Sequence, residues 1–124
     1  MMWWLVALIV AIVIGAIFIY DGCDEKPTEL TVFRVTVRDG TFLVNGERQV
    51  GCALRVGRPY VFDQGAPSNA GHPLRISKTP EGEDGREIGE ALNSTLRFVP
   101  GEAGTFYLHC AVHRGMGMAF RVVE

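Results

Sequence analysis

Two patterns of apolar residues divide this chain. Over residues 1–20, MMWWLVALIVAIVIGAIFIY, apolar positions run almost unbroken and no side chain is charged. From Leu30 onward the apolar residues come in short runs, rich in β-branched and aromatic side chains, separated by Gly, Pro, Asn and Asp. The first pattern predicts a single transmembrane anchor helix, because about 20 helical residues at ~1.5 Å rise span a hydrocarbon core of ~30 Å. Trp3, Trp4 and Tyr20 lie at its ends, where amphipathic rings favour the membrane–water interface. The second pattern predicts an all-β sandwich or barrel over residues 30–124. DGCDEKPTE, residues 21–29, reads as the polar linker between them.

A cleaved signal peptide is the rival reading of the first segment. It calls for a basic leading region and a shorter apolar run, and neither is present. Cys23 follows the span as a lipid-acceptor cysteine would, but Asp21 stands where such a signal has a small or apolar residue. Topology is weakly encoded, with no basic residue ahead of the span. The expectation is a body on the extracytoplasmic side: periplasmic, luminal or extracellular.

Within the body the predicted strands are LTVFRVTVR (30–38), TFLV (41–44), QVGCALRV (49–56), PYVFDQ (59–64), HPLRIS (72–77), STLRFVP (94–100), GTFYLHC (104–110) and MAFRVVE (118–124). Asp39-Gly40 and Asn45-Gly46 are turn dipeptides. Residues 78–93 are acidic and poorly patterned, and read as a solvated loop with a helical turn near Ile88 to Leu92.

Side chains alternate faces along a strand. Phe106, Leu108 and Cys110 therefore share one face, His72 lines up with Leu74 and Ile76, and Met118 lines up with Phe120 and Val122. Three strands would each aim one imidazole or sulfur ligand toward the core, and His113 lies in the loop from which it can fold over them. The same parity turns His109 away and predicts a surface role for it.

Composition narrows the chemistry. The 124 residues suffice for one domain, and a net charge of −2 with no basic cluster gives nothing for nucleic acid to bind. Two His, one Cys and a Met form the ligand set of a mononuclear copper centre: thiolate and thioether favour Cu(I), and imidazole serves both oxidation states.

CAVHRGMGM, residues 110–118, resembles the ligand loop of the cupredoxins, the small blue copper proteins, in the cysteine-to-histidine-to-methionine spacing of plastocyanin and pseudoazurin. VGRPYVFDQ and NAGHPLRIS resemble the segment that delivers the first ligand histidine of that family, and GTFYLHC the strand that delivers the cysteine. The resemblance implies a Greek-key β-sandwich and one copper per chain held by His72, Cys110, His113 and Met118, with Met116 as the alternative axial ligand. It also implies a one-electron carrier rather than an enzyme, monomeric, with redox protein partners docking near His113. Two positions depart from the family: Pro73 stands where Asn is common, and Val112 where Pro often precedes the loop histidine.

Other readings stand beside this one. A copper chaperone, store or sensor would use an open, Met-rich site, and the MGM pair leans that way. A metal-free interaction module usually lacks a ligand, and this chain keeps all four. A dinuclear copper site needs a second cysteine at the position of Arg114. Cys52 falls in a row with Val50, Leu54 and Val56 and reads as a buried thiol, the alternative being a Cys23–Cys52 disulfide.

Overall fold

The computed structural model describes residues 30–124. The anchor expected over 1–20 and the linker over 21–29 lie outside the described residues, among which no helix is long and apolar enough to cross a membrane.

Among the described residues nine strands run in chain order: β1 Thr31–Arg38, β2 Thr41–Val44, β3 Leu54–Arg55, β4 Tyr60–Asp63, β5 Leu74–Ser77, β6 Glu90–Leu92, β7 Thr95–Phe98, β8 Gly104–Cys110 and β9 Met118–Val123. They form a five-stranded sheet in the order β2-β1-β4-β7-β6 and a four-stranded sheet in the order β3-β9-β8-β5. The expected all-β body is therefore what the chain builds. Asp39 and Gly40 close the β1–β2 hairpin with φ of 52° and 71°, the positive values a tight hairpin turn demands.

Alternation decides the core. Phe33 and Val35 of β1, Tyr60 and Phe62 of β4, and Leu96 and Phe98 of β7 are buried, as are Phe106 and Leu108 of β8 and Phe120 and Val122 of β9. The two sheets meet through aromatic rings, with Phe98 edge-on to both Phe106 and Phe120 and Phe62 tilted against Phe120. Such pairs add about 0.5–1.5 kcal/mol each to what their burial provides.

The strands give the sandwich two distinct poles. At one, Phe42 at the start of β2 donates its N–H to the carbonyl of Met116, and Gln64 just past β4 reaches residues 72 and 74. β1 and β4 run parallel, pairing Thr31 with Tyr60, so the chain enters β1 at the opposite pole.

Four expectations need correction. The strand predicted over 49–56 shrinks to Leu54–Arg55. Val50 and Cys52 ahead of it still pack against the core, and Cys52 is disulfide-bonded instead of a free thiol; Cys23, its partner in the alternative reading, lies outside the described residues. β5 begins at Leu74, leaving His72 in the preceding loop, because Pro73 has no N–H to give the ladder. Residues 78–93 hold no helical turn: Ile88 donates its N–H to Ile76 O at 2.8 Å, and Glu90–Leu92 pair with β7 as an edge strand.

Candidate metal centre

The structure brings three of the four expected ligands to one point. The donor atoms of His72, Cys110 and His113 all lie within 4.8 Å of one another. Cys110 Sγ is 4.0 Å from Nδ1 of His72 and 3.7 Å from Nδ1 of His113, and the two imidazole rings sit 4.8 Å apart, tilted by 48°. Among the described residues this is the only such cluster of His, Cys, Asp and Glu.

Each side chain is placed by a separate element. Cys110 ends β8, where it pairs with Leu74 and is buried at 4% exposure. His72 is half-buried at the end of a loop that starts from β4. A short 3-10 helix, Pro67–Asn69, ties that loop to β1: Asn69 Nδ2 donates to Val35 O at 2.7 Å, and Asn69 O accepts the His72 N–H at 2.9 Å. Gln64 then brackets the ligand, donating from Nε2 to His72 O and accepting the Leu74 N–H on Oε1, both at 2.8 Å. Pro73 O accepts the Ala111 N–H at 2.9 Å, so the His72 loop and the Cys110 loop are joined directly.

His113 is exposed on the loop between β8 and β9. Gly115 turns that loop with φ of 77°, a conformation that suits glycine. Gly117 lets it rejoin the sheet: a Cβ there would stand 1.7 Å from Leu108 O, inside the backbone of β8. Met118 begins β9 opposite Leu108 and is half-buried against the core, whereas Met116 is buried at 3% exposure.

Sequence reasoning missed the segment of residues 78–89 as part of this centre. It crosses the outer face of β5 and β8 as a strap. Gly82 presses on the His109 ring, where a Cβ would meet Cε1 at 2.9 Å. His109 does face away from the cluster, as parity predicts, but it is buried at 4% exposure instead of lying on the surface. Glu81 Oε1 accepts the Gly115 N–H at 2.9 Å, and Arg114 lies 3.9 Å from Glu83. The Glu83 carboxyl is held below the ordinary glutamate range, chiefly by its own backbone N–H and then by that of Glu81.

The donors suit a metal ion. Bonds of roughly 2.0–2.3 Å to nitrogen and sulfur put neighbouring ligand atoms roughly 3.6–3.8 Å apart. The Cys110–His113 separation of 3.7 Å is of that size and the Cys110–His72 separation of 4.0 Å slightly exceeds it; both are long for hydrogen bonds to sulfur.

No protein-family model matches the chain, and no curated protein sequence matches it. Solved structures do. Native pseudoazurin from Hyphomicrobium denitrificans aligns over 77% of each chain with a TM-score of 0.53 and 17% identity. The metal-binding domain of the Streptococcus pneumoniae D39 Cu(I)-exporting P-type ATPase CopA, solved with Cu(I), aligns over 84% of this chain and 94% of that one, with a TM-score of 0.46 and 20% identity. McoA multicopper oxidase (2F4 variant) from Aquifex aeolicus aligns over 80% of this chain and 27% of its own, with a TM-score of 0.42 and 12% identity. The likeness to pseudoazurin fixes the fold as cupredoxin-like, in agreement with the resemblance read from the sequence.

Proposed function

We propose that this chain is a membrane-tethered one-electron carrier built on a type 1 copper site. One copper per chain would be held by His72, Cys110 and His113 with the thioether of Met118, Met116 being the alternative. The observation that carries this reading is the convergence of two Nδ1 atoms on one buried thiol, 3.7 and 4.0 Å away. A thioether added to such a set would favour copper over zinc. When bound, copper supplies the Cu(I)/Cu(II) couple.

The chain's own residues do the rest. Cys110 and the buried side chains around it, Leu108 and Leu74 among them, exclude water from the inner side. His113 is exposed, and Val112 beside it is 63% exposed. Together they offer a small apolar edge against which a redox protein partner can dock transiently. No substrate-converting site is invoked, and the body acts as a monomer. The apolar segment 1–20 would hold the protein in a membrane with its body on the extracytoplasmic side. The described chain enters β1 at the pole opposite the metal cluster, so a tether there would leave the His113 edge open to a partner.

The deciding measurement is an optical and EPR spectrum of the full chain loaded with Cu(II). Wild type should show intense thiolate-to-copper absorption and reversible electrochemistry, and Cys110→Ala should lose both. Uptake of Cu(I) alone, with no coloured oxidised form, would make the protein a copper-handling one. Equally weak copper binding by wild type and Cys110→Ala would leave only a metal-free interaction module.

A further inference from the structure

One carboxylate of the strap stands where ordinary solvation would not put it. Glu81 is half-buried, whereas its neighbours Glu83 and Asp84 are exposed. Its Oε1 is engaged by the N–H of Gly115, a residue 34 positions away and two beyond His113. Glu81 also lines the same cleft as Cys110, Ala111, Val112 and His113.

The strap itself is well braced. Ser77 Oγ donates to Thr79 O at 2.6 Å, and Gly82 and Gly85 donate their N–H groups to Thr79 O and Gly82 O. Arg86 donates its N–H to Asp84 Oδ1 at 3.1 Å, and Arg75 pairs with Glu87 at 3.3 Å. Ile88 pins its far end to β5, and Gly82 is pressed against the buried His109 ring. A carboxylate delivered by so braced a segment is a fixed point. The ligand loop needs one, because Val112 gives it no proline stiffness ahead of His113 and Gly115 turns it in the left-handed region.

We infer that Glu81 is a positioning residue for the metal centre: its carboxylate fixes the Gly115 turn that carries His113 to Cys110, and its negative charge at the edge of the cleft favours the more positively charged, oxidised state of the site. The first half concerns the chain alone. The second half rests on the copper reading above. A hydrogen bond from an amide to a carboxylate is roughly twice as strong as a neutral one, and a charge at the rim of a low-dielectric site acts on it more strongly than one in bulk water.

Two variants separate the roles. Glu81→Gln keeps an oxygen acceptor for Gly115 and removes the charge; Glu81→Ala removes both. In the metal-free full chain, NMR hydrogen exchange at the Gly115 amide should be at least about 10-fold faster in Glu81→Ala, the factor corresponding to one lost hydrogen bond. It should rise by only about threefold in Glu81→Gln, which keeps a neutral bond of roughly half the strength. In the copper-loaded chain the reduction potential should rise in both variants, and the thiolate absorption should shift and broaden only in Glu81→Ala. Unchanged Gly115 exchange in Glu81→Ala overturns the positioning role, and an unchanged or lowered potential in Glu81→Gln overturns the electrostatic one. If wild type gives no thiolate absorption, the carrier reading and the electrostatic half fall together, while the exchange measurement still decides the clamp.

Discussion

The two imidazoles of the cluster are held in opposite ways. His72 sits half-buried and is fixed by neutral groups: the Asn69 carbonyl, the Gln64 amide on both sides of it, and the Pro73–Ala111 link. His113 is exposed, and its loop is fixed from outside by a strap whose contacts are carboxylates, Glu81 on Gly115 and Glu83 near Arg114. The difference follows from exposure. A buried ligand can borrow the rigidity of a packed core, in which an unpaired polar group is costly. A ligand that must reach the surface has no such packing around it: the loop is seated in the core only further on, at Met116, and near His113 itself the contacts are polar. One side should therefore respond to packing and hydrogen-bond deletions, and the other to charge and acidity.

The comparison breaks most severely where the exposed loop rejoins the core. Gly117→Ala would place a Cβ 1.7 Å from the carbonyl oxygen of Leu108, and the obstruction is backbone, which cannot swing aside. The expected cost is about 3 kcal/mol or more, read as a fall of roughly 12 °C or more in the melting temperature of the metal-free chain. The start of β9 would be displaced, so the His113 side would lose its footing while the His72 loop kept its contacts. A melting temperature within 2–3 °C of wild type would show that the loop tolerates a different seat, and that its geometry is set elsewhere.

A smaller effect tests the buried side. Gln64→Ala removes the partner of both His72 O and Leu74 N–H. Leaving two partly buried backbone groups unpaired should cost about 1–3 kcal/mol by denaturant unfolding. Gln64→Glu retains the acceptor for Leu74 and loses the donor to His72, so an intermediate value is expected. Exchange at the Gly115 amide should stay as in wild type in both variants, because the Glu81 contact is independent of Gln64. If Gly115 and Leu74 lose protection together, the two sides are one cooperative unit and the distinction fails.

These residues also mark what a sequence can reveal. The strand GTFYLHC and the Cys110-x-x-His113 spacing were legible because both are local: alternation sets the face, and loop length sets the reach. The convergence of His72 was legible through its place at the head of an apolar row and through the family resemblance of NAGHPLRIS, even though Pro73 keeps it outside the strand itself. Glu81 and Gln64 were not legible, since each acts on a partner distant in sequence or on bare backbone, and a Glu among other acids looks like any solvated loop. β6 escaped for a related reason: Glu90, Ala91 and Leu92 are all exposed, so no face of the strand carries an apolar signal. His109 shows the limit of parity, which gave its direction correctly but could not foresee the strap that covers it. Cys52 looked like core because it continues an apolar row, and its disulfide is invisible to that pattern.

The smallest expected effect is also the most selective, and it comes from acid. Glu83 titrates below the ordinary glutamate range because backbone N–H groups, its own first and then that of Glu81, donate to its charged form. A carboxylate whose folded value is depressed stabilises the fold fully above its unfolded value, and loses that contribution as pH falls through the folded value. The strap should therefore loosen on acidification below the ordinary glutamate range and stay firm at neutral pH. The group is exposed, so global stability should hardly register the change. The amide proton of Glu81, which donates to Glu83 Oε2 at 3.1 Å, should register it as a chemical-shift titration in that acidic window. Glu83→Gln should flatten the curve. The Leu74 amide, held by the neutral Gln64, should show no matching step in either protein. A step of equal midpoint at Leu74 would mean that acid opens both sides of the centre at once, and that charge governs the buried histidine as much as the exposed one.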